Sequence, residues 1–445
     1  MQISRTEGAP AGELLGSRPA AGRRRPRLLF LAYYFPPVST IGAVRALNIA
    51  KWLNRVGWDV SVVTPRSSTW VRTDSVEKTD SFLRQEGIRC IRTAYPWSSL
   101  ASTSLVAADG PMPVRLRGVV RRLARLVSIP DETGWLFEVE RACAGLSEED
   151  VDVVFATGPP FGTFRIASKL ARRLGCPFVL DYRDLWTGNP HASRPAASRA
   201  SRLEGVLLER ASAVTVVSRS LGQSLAEQFE IHDKVRVISN GFDAEDLALV
   251  EPASFGHFAI VYAGTFYPPK RVITPLIDVL KRLSAKGKVP RDGWRFHYYG
   301  PQPEHVREAA AGSGLDGNIE IHGLVPRREV LSALRGAGVS VVVTSVAEQG
   351  SLQDNSIVTG KVFEALGAGT TTLAIAPPGS DLEGIFDATG LGVRFTSSQI
   401  DPMADFLEVA MLGDGPRPSR REVYEWSHLV KGLDAVLREV AFPRG

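Results

Sequence analysis

Three glycines in this sequence stand where a strand or loop gives way to a helix, each close to residues able to hold an anion. Gly42 in "YYFPPVSTIGAVRAL" has Arg45 one turn further on, Gly264 and Thr265 in "YAGTFYPPKR" precede Lys270 and Arg271, and Gly360 opens "GKVFEALGAG". A glycine lets the backbone approach a phosphate closely, and a helix start offers N–H donors with a favourable dipole. A diphosphate needs such donors and cations around it, and no fixed acid beside it. Glu364 reads as a first-turn acid of the helix that Gly360 opens. There a carboxylate either accepts hydrogen bonds from the hydroxyl pair of a ribose or simply complements the helix dipole. Other chemistries find less support. The "DVD" of Asp150–Asp152 has the short acidic form of metal-dependent sugar transfer, but it leads directly into "VVFAT" and reads as a solvated strand entry. No serine elbow, lysine-serine phosphate loop, dinucleotide fingerprint or metal-type cluster is visible.

Elements that could hold these residues follow from periodicity. Short β-branched runs alternate with amphipathic stretches, first in "RLLFLAYY", "AVRALNIAKWLNRVG" and "DVSVVT", then in "DVVFAT", "TFRIASKLARRLG" and "PFVLDYRD". This is the rhythm of a parallel sheet covered by helices, and it predicts one α/β domain over residues 27–245. A connector around "ISNGFDAEDLALVEPAS" precedes a second alternating set over 258–420, from "FAIVYAG" to "TTLAIA" and beyond. A chain of 445 residues is long enough for two such domains with a cleft between them. Residues 421–445 read as a closing helix whose face of Tyr424, Trp426, Leu429, Leu433 and Leu437 must be covered, with the first domain as the expected cover. Residues 1–26, rich in Gly, Pro, Ala and Arg, read as a disordered tail without the apolar core of a secretory signal.

The excursion from 66 to 133 is longer than an ordinary connection. Within it "VRLRGVVRRLARLV", residues 114–127, places apolar residues on one helical face and five arginines elsewhere. That pattern fits a surface helix packed on its own protein, or one lying peripherally on an anionic membrane. The net charge of +5 suits phosphate-bearing ligands and, without a dense aromatic-basic pattern, argues against nucleic acid. Cys90, Cys143 and Cys176 have no metal-type spacing, which fits a reducing cytoplasm, with contact at the inner face of the membrane as the variant.

Together these segments resemble the GT-B glycosyltransferases of family 4. The resemblance rests on "YYFPPVSTIGAVRALNIAKWLNRVGWDVSVVT", "TGPPFGTFRIASKLARRLGCPFVLDYRDLWT" and "VRVISNGFD" in the first domain, and on "IVYAGTFYPPKR", "IHGLVPRREVLSAL" and "TGKVFEALGAG" in the second. It implies two Rossmann-like domains facing a cleft, a C-terminal helix crossing back to the first, and a retaining transfer from a nucleotide-diphosphate sugar of the UDP or GDP type. The donor is expected mainly on the second domain, the acceptor mainly on the first, with no metal and no cofactor.

Carried over residue by residue, Glu364 resembles the second glutamate of the family's pair and would bind ribose; the first falls at Ser356. Lys270 and Arg271 match the phosphate-binding cations, Gly42 the glycine-rich first loop, and Asp184 lies in "DYRDLW" where many members carry histidine-aspartate. Asp184 would orient acceptor or donor sugar, or pair with Arg183. The donor would also be lined by Asn355, Ser356, Ile357, Val358, Thr359, Gly360 and Lys361, with Asp354 or Asn355 and loop N–H groups replacing the missing acid. The resemblance further implies that the leaving diphosphate takes the acceptor's proton while the protein stabilises and positions it. The acceptor reads as lipid-linked, a polysaccharide or a small natural product. Alternatives are a sugar-nucleotide-binding protein without transfer activity and a GT-B sugar-nucleotide epimerase.

Overall fold

The computed structural model describes residues 24–38, 40–67, 75–95, 133–187, 197–413, 415, 416 and 418–443. The expected helix over 114–127 lies outside them, as does most of the expected tail. Of that tail, Arg24 donates to Asp152 Oδ1 at 2.6 Å, Arg25 to the Trp58 carbonyl at 2.6 Å, and the Pro26 carbonyl accepts from the Asp59 N–H at 2.8 Å. The disordered-tail expectation is therefore corrected at its end, because these three residues are fixed against the first sheet. Asp152 also accepts from the Arg27 N–H at 2.7 Å, so the acidic "DVD" joins the entries of two strands.

Contacts group the described residues up to Val216, with Leu225–Ile238 and those from Val430 onward, into a first unit; Val217–Ser224 and Ser239–Leu429 form a second. In the first, the strands are β1 (Arg27–Leu31), β2 (Asp59–Pro65), β3 (Arg89–Thr93), β4 (Val153–Gly158), β5 (Phe178–Tyr182), β6 (Ala213–Val216) and β7 (Val235–Val237). They pair in the order β3-β2-β1-β4-β5-β6-β7, all parallel, with Leu28 opposite both Val60 and Val153. The helix Ile41–Arg55 begins where the Thr40 side chain accepts from the Ala43 N–H, which ends the loop after β1.

In the second unit the strands are β8 (Phe258–Ala263), β9 (Trp294–Tyr299), β10 (Ile319–Gly323), β11 (Val339–Val343), β12 (Thr372–Ile375) and β13 (Gly392–Phe395). Their order is β10-β9-β8-β11-β12-β13, again parallel throughout. Parallel neighbours require crossovers, so helices cover the sheets, and inner strands such as β4, β5, β11 and β12 are buried along their length, while the edge strands β3, β7, β10 and β13 are less so. Along β8, Ile260 and Tyr262 enter one apolar cluster while Ala259, Val261 and Ala263 enter the other, the period of two expected of a strand. In each sheet the strand order reverses direction beside the first strand, between β1 and β4 and between β8 and β11. Ligands of open parallel sheets bind outside the carboxyl ends of the strands at such points.

The expected connector is packed rather than loose. Phe242, Leu247 and Val250 are buried in the second unit's core, and the Phe242 N–H donates to the Tyr424 carbonyl at 3.1 Å. Residues 239–245, expected with the first domain, therefore pack in the second unit. So do residues 421–429: Arg421–Tyr424 form a 3-10 turn, and the Tyr424 ring lies 5.5 Å from Phe363. From Val430 the closing helix Trp426–Ala441 belongs to the first unit, where Asp434 accepts from the Trp58 indole N–H at 2.7 Å. No helix among the described residues is long and apolar enough to cross a membrane.

Candidate functional site

At the carboxyl end of β8 the chain turns at Gly264, whose N–H donates to the Tyr299 carbonyl at 2.8 Å. A Cβ there would stand 2.4 Å from Lys361 Cε and 2.7 Å from its Nζ, so only glycine leaves room for the lysine to lie across the turn. Lys361 is the second residue of the helix Gly360–Ala368. Among the described residues its ammonium has neither hydrogen bond nor ion pair. Burial pulls its pKa down to about 8; the Glu364 carboxylate opposes that fall and the Arg271 guanidinium adds to it.

Arg271 is placed by a tight loop. Its backbone exchanges two hydrogen bonds with Tyr267, at 2.8 and 2.9 Å, and its guanidinium lies 5.2 Å from the Tyr267 ring centre. Its Nε is 3.5 Å from the carbonyl of Thr344, the residue that follows β11. Thr344 is buried, and its hydroxyl has no partner among the described residues. Nor does the hydroxyl of Thr359, the residue before Gly360, and no side chain caps that helix. The first N–H groups of a helix have no carbonyl of their own helix to bond. Two cations, an uncapped helix start and two unpartnered hydroxyls thus gather at the reversal point of the second sheet, with Thr265 half-buried beside them. Such a set can hold a phosphate or diphosphate.

Other predicted residues are engaged elsewhere. Lys270 donates to Asp354 Oδ1 at 2.7 Å, and Asp354, buried, also closes a capping box with Ser351. Burial pushes the Asp354 carboxyl up, but the Lys270 and Ser351 hydrogen bonds outweigh it and hold the group below its usual range. Lys270, expected beside Arg271 as a phosphate-binding cation, is thus found as the partner of a buried acid, and Asp354 is engaged by Lys270 and Ser351. The N–H groups of Asn355, Ser356, Ile357 and Val358 bond to carbonyls of the same turn, at 2.9, 3.1, 3.3 and 3.0 Å. The Ser356 hydroxyl donates to the Gln353 carbonyl at 2.8 Å and its own carbonyl accepts from Ser218. The expected cradle of loop N–H groups is therefore corrected to the helix start at Thr359, Gly360 and Lys361. Asn355 keeps one unpartnered atom, its buried Oδ1, which a Cβ on Gly350 would meet at 2.0 Å.

Glu364 is the fifth residue of its helix, in the second turn and not the first, so the dipole argument does not apply to it. Its Oε1 accepts from Arg327 Nε at 3.1 Å, which leaves Oε2 for a hydroxyl.

In the first unit Arg45 departs most from expectation. It is 3% exposed and Asp181 is 0% exposed; the two share hydrogen bonds of 2.7 and 3.2 Å. Thr157, Thr215 and the Ile238 carbonyl complete the network. Burial alone would push the Asp181 carboxyl up, but Arg45 and the two threonines hold it below its ordinary range. Arg45 is therefore corrected from a donor contact to half of a buried ion pair that joins the first helix to the middle of the sheet. The signal for it was Asp181 in "FVLDYRD", a carboxylate set inside an apolar strand.

Gly42 likewise serves a neighbour. A Cβ there would stand 1.9 Å from an Arg183 nitrogen, so the glycine makes room for a guanidinium that donates to the carbonyls of Gly158, at 3.1 Å, and Pro159. Asp184 is exposed, and two residues further on Trp186 stacks on Phe161 with ring centres 5.4 Å apart. That aromatic pair was not foreseen; it becomes visible only once the loops after β4 and β5 are neighbours.

Comparisons with known proteins extend this picture. Residues 42–241 match the family model described as a glycosyl transferase 4-like domain. The chain is similar to the crystal structure of Anabaena Alr3699/HepE in complex with UDP and glucose, at 14% identity and a TM-score of 0.58, covering 93% of this chain and 99% of that one. It is also similar to sucrose-phosphate synthase from Thermosynechococcus elongatus, at 14% identity and a TM-score of 0.55 over 94% and 95% of the two chains. A third likeness is to a putative UDP-N-acetylglucosamine 2-epimerase from Listeria monocytogenes, at 14% identity and a TM-score of 0.54 over 93% and 96%. At these identities the structures bear on the fold, and the fold is GT-B. No curated protein matches the chain by sequence.

Proposed function

We propose that this chain, a glycosyltransferase with a 4-like domain on a GT-B fold, moves a sugar from a nucleoside-diphosphate donor whose diphosphate is held in the second unit. The observation that carries the reading is Lys361: a half-buried ammonium with no hydrogen bond or ion pair among the described residues, touched only by the field of Glu364, beside Arg271 and at an uncapped helix start. Leaving a cation desolvated and unpaired is costly, and a bound dianion repays that cost. A UDP-type donor is favoured, since a structural neighbour is described in complex with UDP and glucose.

On this reading Arg271, Lys361 and the N–H groups of Gly360 and Lys361 stabilise charge as it develops on the departing diphosphate. Glu364 Oε2 accepts from the ribose hydroxyls. The acceptor lies on the first unit, where exposed Asp184 takes a hydroxyl and the Phe161–Trp186 pair takes an apolar or sugar face. Transfer proceeds with retention, the leaving diphosphate accepting the acceptor's proton.

The test is thermal stabilisation of the purified protein by UDP, GDP, ADP and TDP, repeated in Lys361→Ala. A shift with one diphosphate that disappears in the variant is expected; no shift with any of them would remove the donor site. A second reading, nucleotide-sugar binding without transfer, draws on the inward engagement of Ser356 and Asp354. Hydrolysis or transfer of the bound donor would dismiss it.

A further inference from the structure

Three imidazoles and a carboxylate converge beside β9 and the edge strand β10 of the second sheet, and the nucleotide reading uses none of them. His297 on β9 lies opposite Glu320 on β10. Glu320 and His322 alternate by two along β10 and so share a face. A register irregularity between Ile321 and Gly323 accompanies the approach of His322 to His297, the kind of bulge that re-aims a side chain. His297 Nδ1 is 3.0 Å from His322 Nε2 and 3.5 Å from Glu320 Oε2, and the last two atoms are 4.0 Å apart.

The geometry points to a divalent transition-metal site of the zinc class, formed by His297 Nδ1, His322 Nε2 and Glu320 Oε2. Zinc holds nitrogen at about 2.0–2.1 Å, so two ligand atoms on its tetrahedron stand roughly 3.4 Å apart, close to the triangle observed. Two nitrogens and one carboxylate oxygen suit borderline ions and do not suit magnesium or calcium. The surroundings already supply what metal ligands require. Arg295 holds Glu320 Oε1 and thereby leaves Oε2. The other nitrogen of His297 is 2.8 Å from His257 Nε2, a partner that can keep the N–H on Nε2 and free Nδ1 for the ion. Tyr299 stacks on the His322 ring at 4.2 Å and Phe255 packs on His297 at 4.7 Å, which fixes both rings.

His322 and Glu320 remain 28% and 34% exposed, so an ion can reach them from solvent and keep water in the remaining position. Across the sheet edge, the Gly300 N–H donates to the Gly323 carbonyl at 2.8 Å, and Gly300 adjoins Tyr299, on whose carbonyl Gly264 is held. An ion clamping β9 to β10 would brace the strand ends behind the Gly264 turn.

The test uses the full chain without a histidine tag, stripped with chelator and titrated with zinc chloride in a calorimeter, with cobalt absorption as a second readout. One equivalent of zinc and tetrahedral cobalt bands are expected. His322→Ala and Glu320→Gln, both at accessible positions, should each weaken binding by roughly 10- to 100-fold while leaving UDP stabilisation unchanged. No saturable binding, or binding by both variants as tight as by the unaltered chain, would overturn the site and leave the four groups as a proton-sharing hydrogen-bond chain.

Discussion

The two sheets reverse their strand order in the same way but treat charge at that point in opposite ways. In the first unit, Arg45 is matched by Asp181 and two threonines, and Arg183 donates to two carbonyls. In the second, Lys361 has no hydrogen bond or ion pair among the described residues and lies beside Arg271, with two hydroxyls and a helix start likewise unpartnered there. The same architecture has thus been closed on one side and left open on the other. A polar group at a strand end indicates a ligand only when the protein itself does not complete its hydrogen bonds.

The sharpest way to break the contrast is to open the closed side. Asp181→Ala strands the Arg45 guanidinium in the core and should lower unfolding stability by about 3–5 kcal/mol in urea titration, since one half of a buried pair is left uncompensated. The same change should leave UDP affinity in the folded fraction unaltered; a selective loss of UDP binding would return Arg45 to the donor site. Next in size, Lys361→Ala should weaken UDP by roughly 10- to 100-fold, the value of a charge-assisted contact of about 1.5–3 kcal/mol. Its stability should hold or rise, because it removes a desolvated charge. A variant that binds UDP normally would remove the contrast altogether.

Titration sharpens the comparison further. The folded pKa of Lys361, about 8, lies below its ordinary 10.5. Its cost to stability is therefore present in full below pH 8 and is relieved as pH rises toward 10.5, where the unfolded chain holds the extra proton. Donor affinity should run the other way, full below pH 8 and falling above it, with proton uptake on UDP binding at pH 8.5 that is absent in Lys361→Ala. Calorimetry in buffers of different ionisation enthalpy reads this directly. The smallest effect belongs to Glu364→Ala, which should cost UDP several-fold, about 1 kcal/mol, and inorganic pyrophosphate nothing. Equal losses for both would sink the ribose assignment.

Much of the fold was legible because both sheets are built from local alternation, and "DVSVVT" or "VSVVV" leaves little choice. The glycine-marked turn at Gly264, Arg271 and the helix start at Gly360 were legible for the same reason: each stands directly beside its strand or helix. What misled were side chains whose partners lie far along the chain. Arg45 and Lys270 looked available because Asp181 and Asp354 are 136 and 84 residues away. The histidine cluster depends on the register of β9 against β10 and on a bulge, neither of which a single strand's pattern records. Glu364 was misplaced by one turn through a helix boundary alone.

The return of the last helix to the first sheet has a consequence for how the chain is made. Trp58 finds its hydrogen-bond partner in Asp434, 376 residues later. As the polypeptide leaves the ribosome, the first unit to emerge lacks this partner until the helix Trp426–Ala441 has followed it, by which time the strands of the second unit are already out. A loss of the closing helix would thus be felt in the part of the protein made earliest.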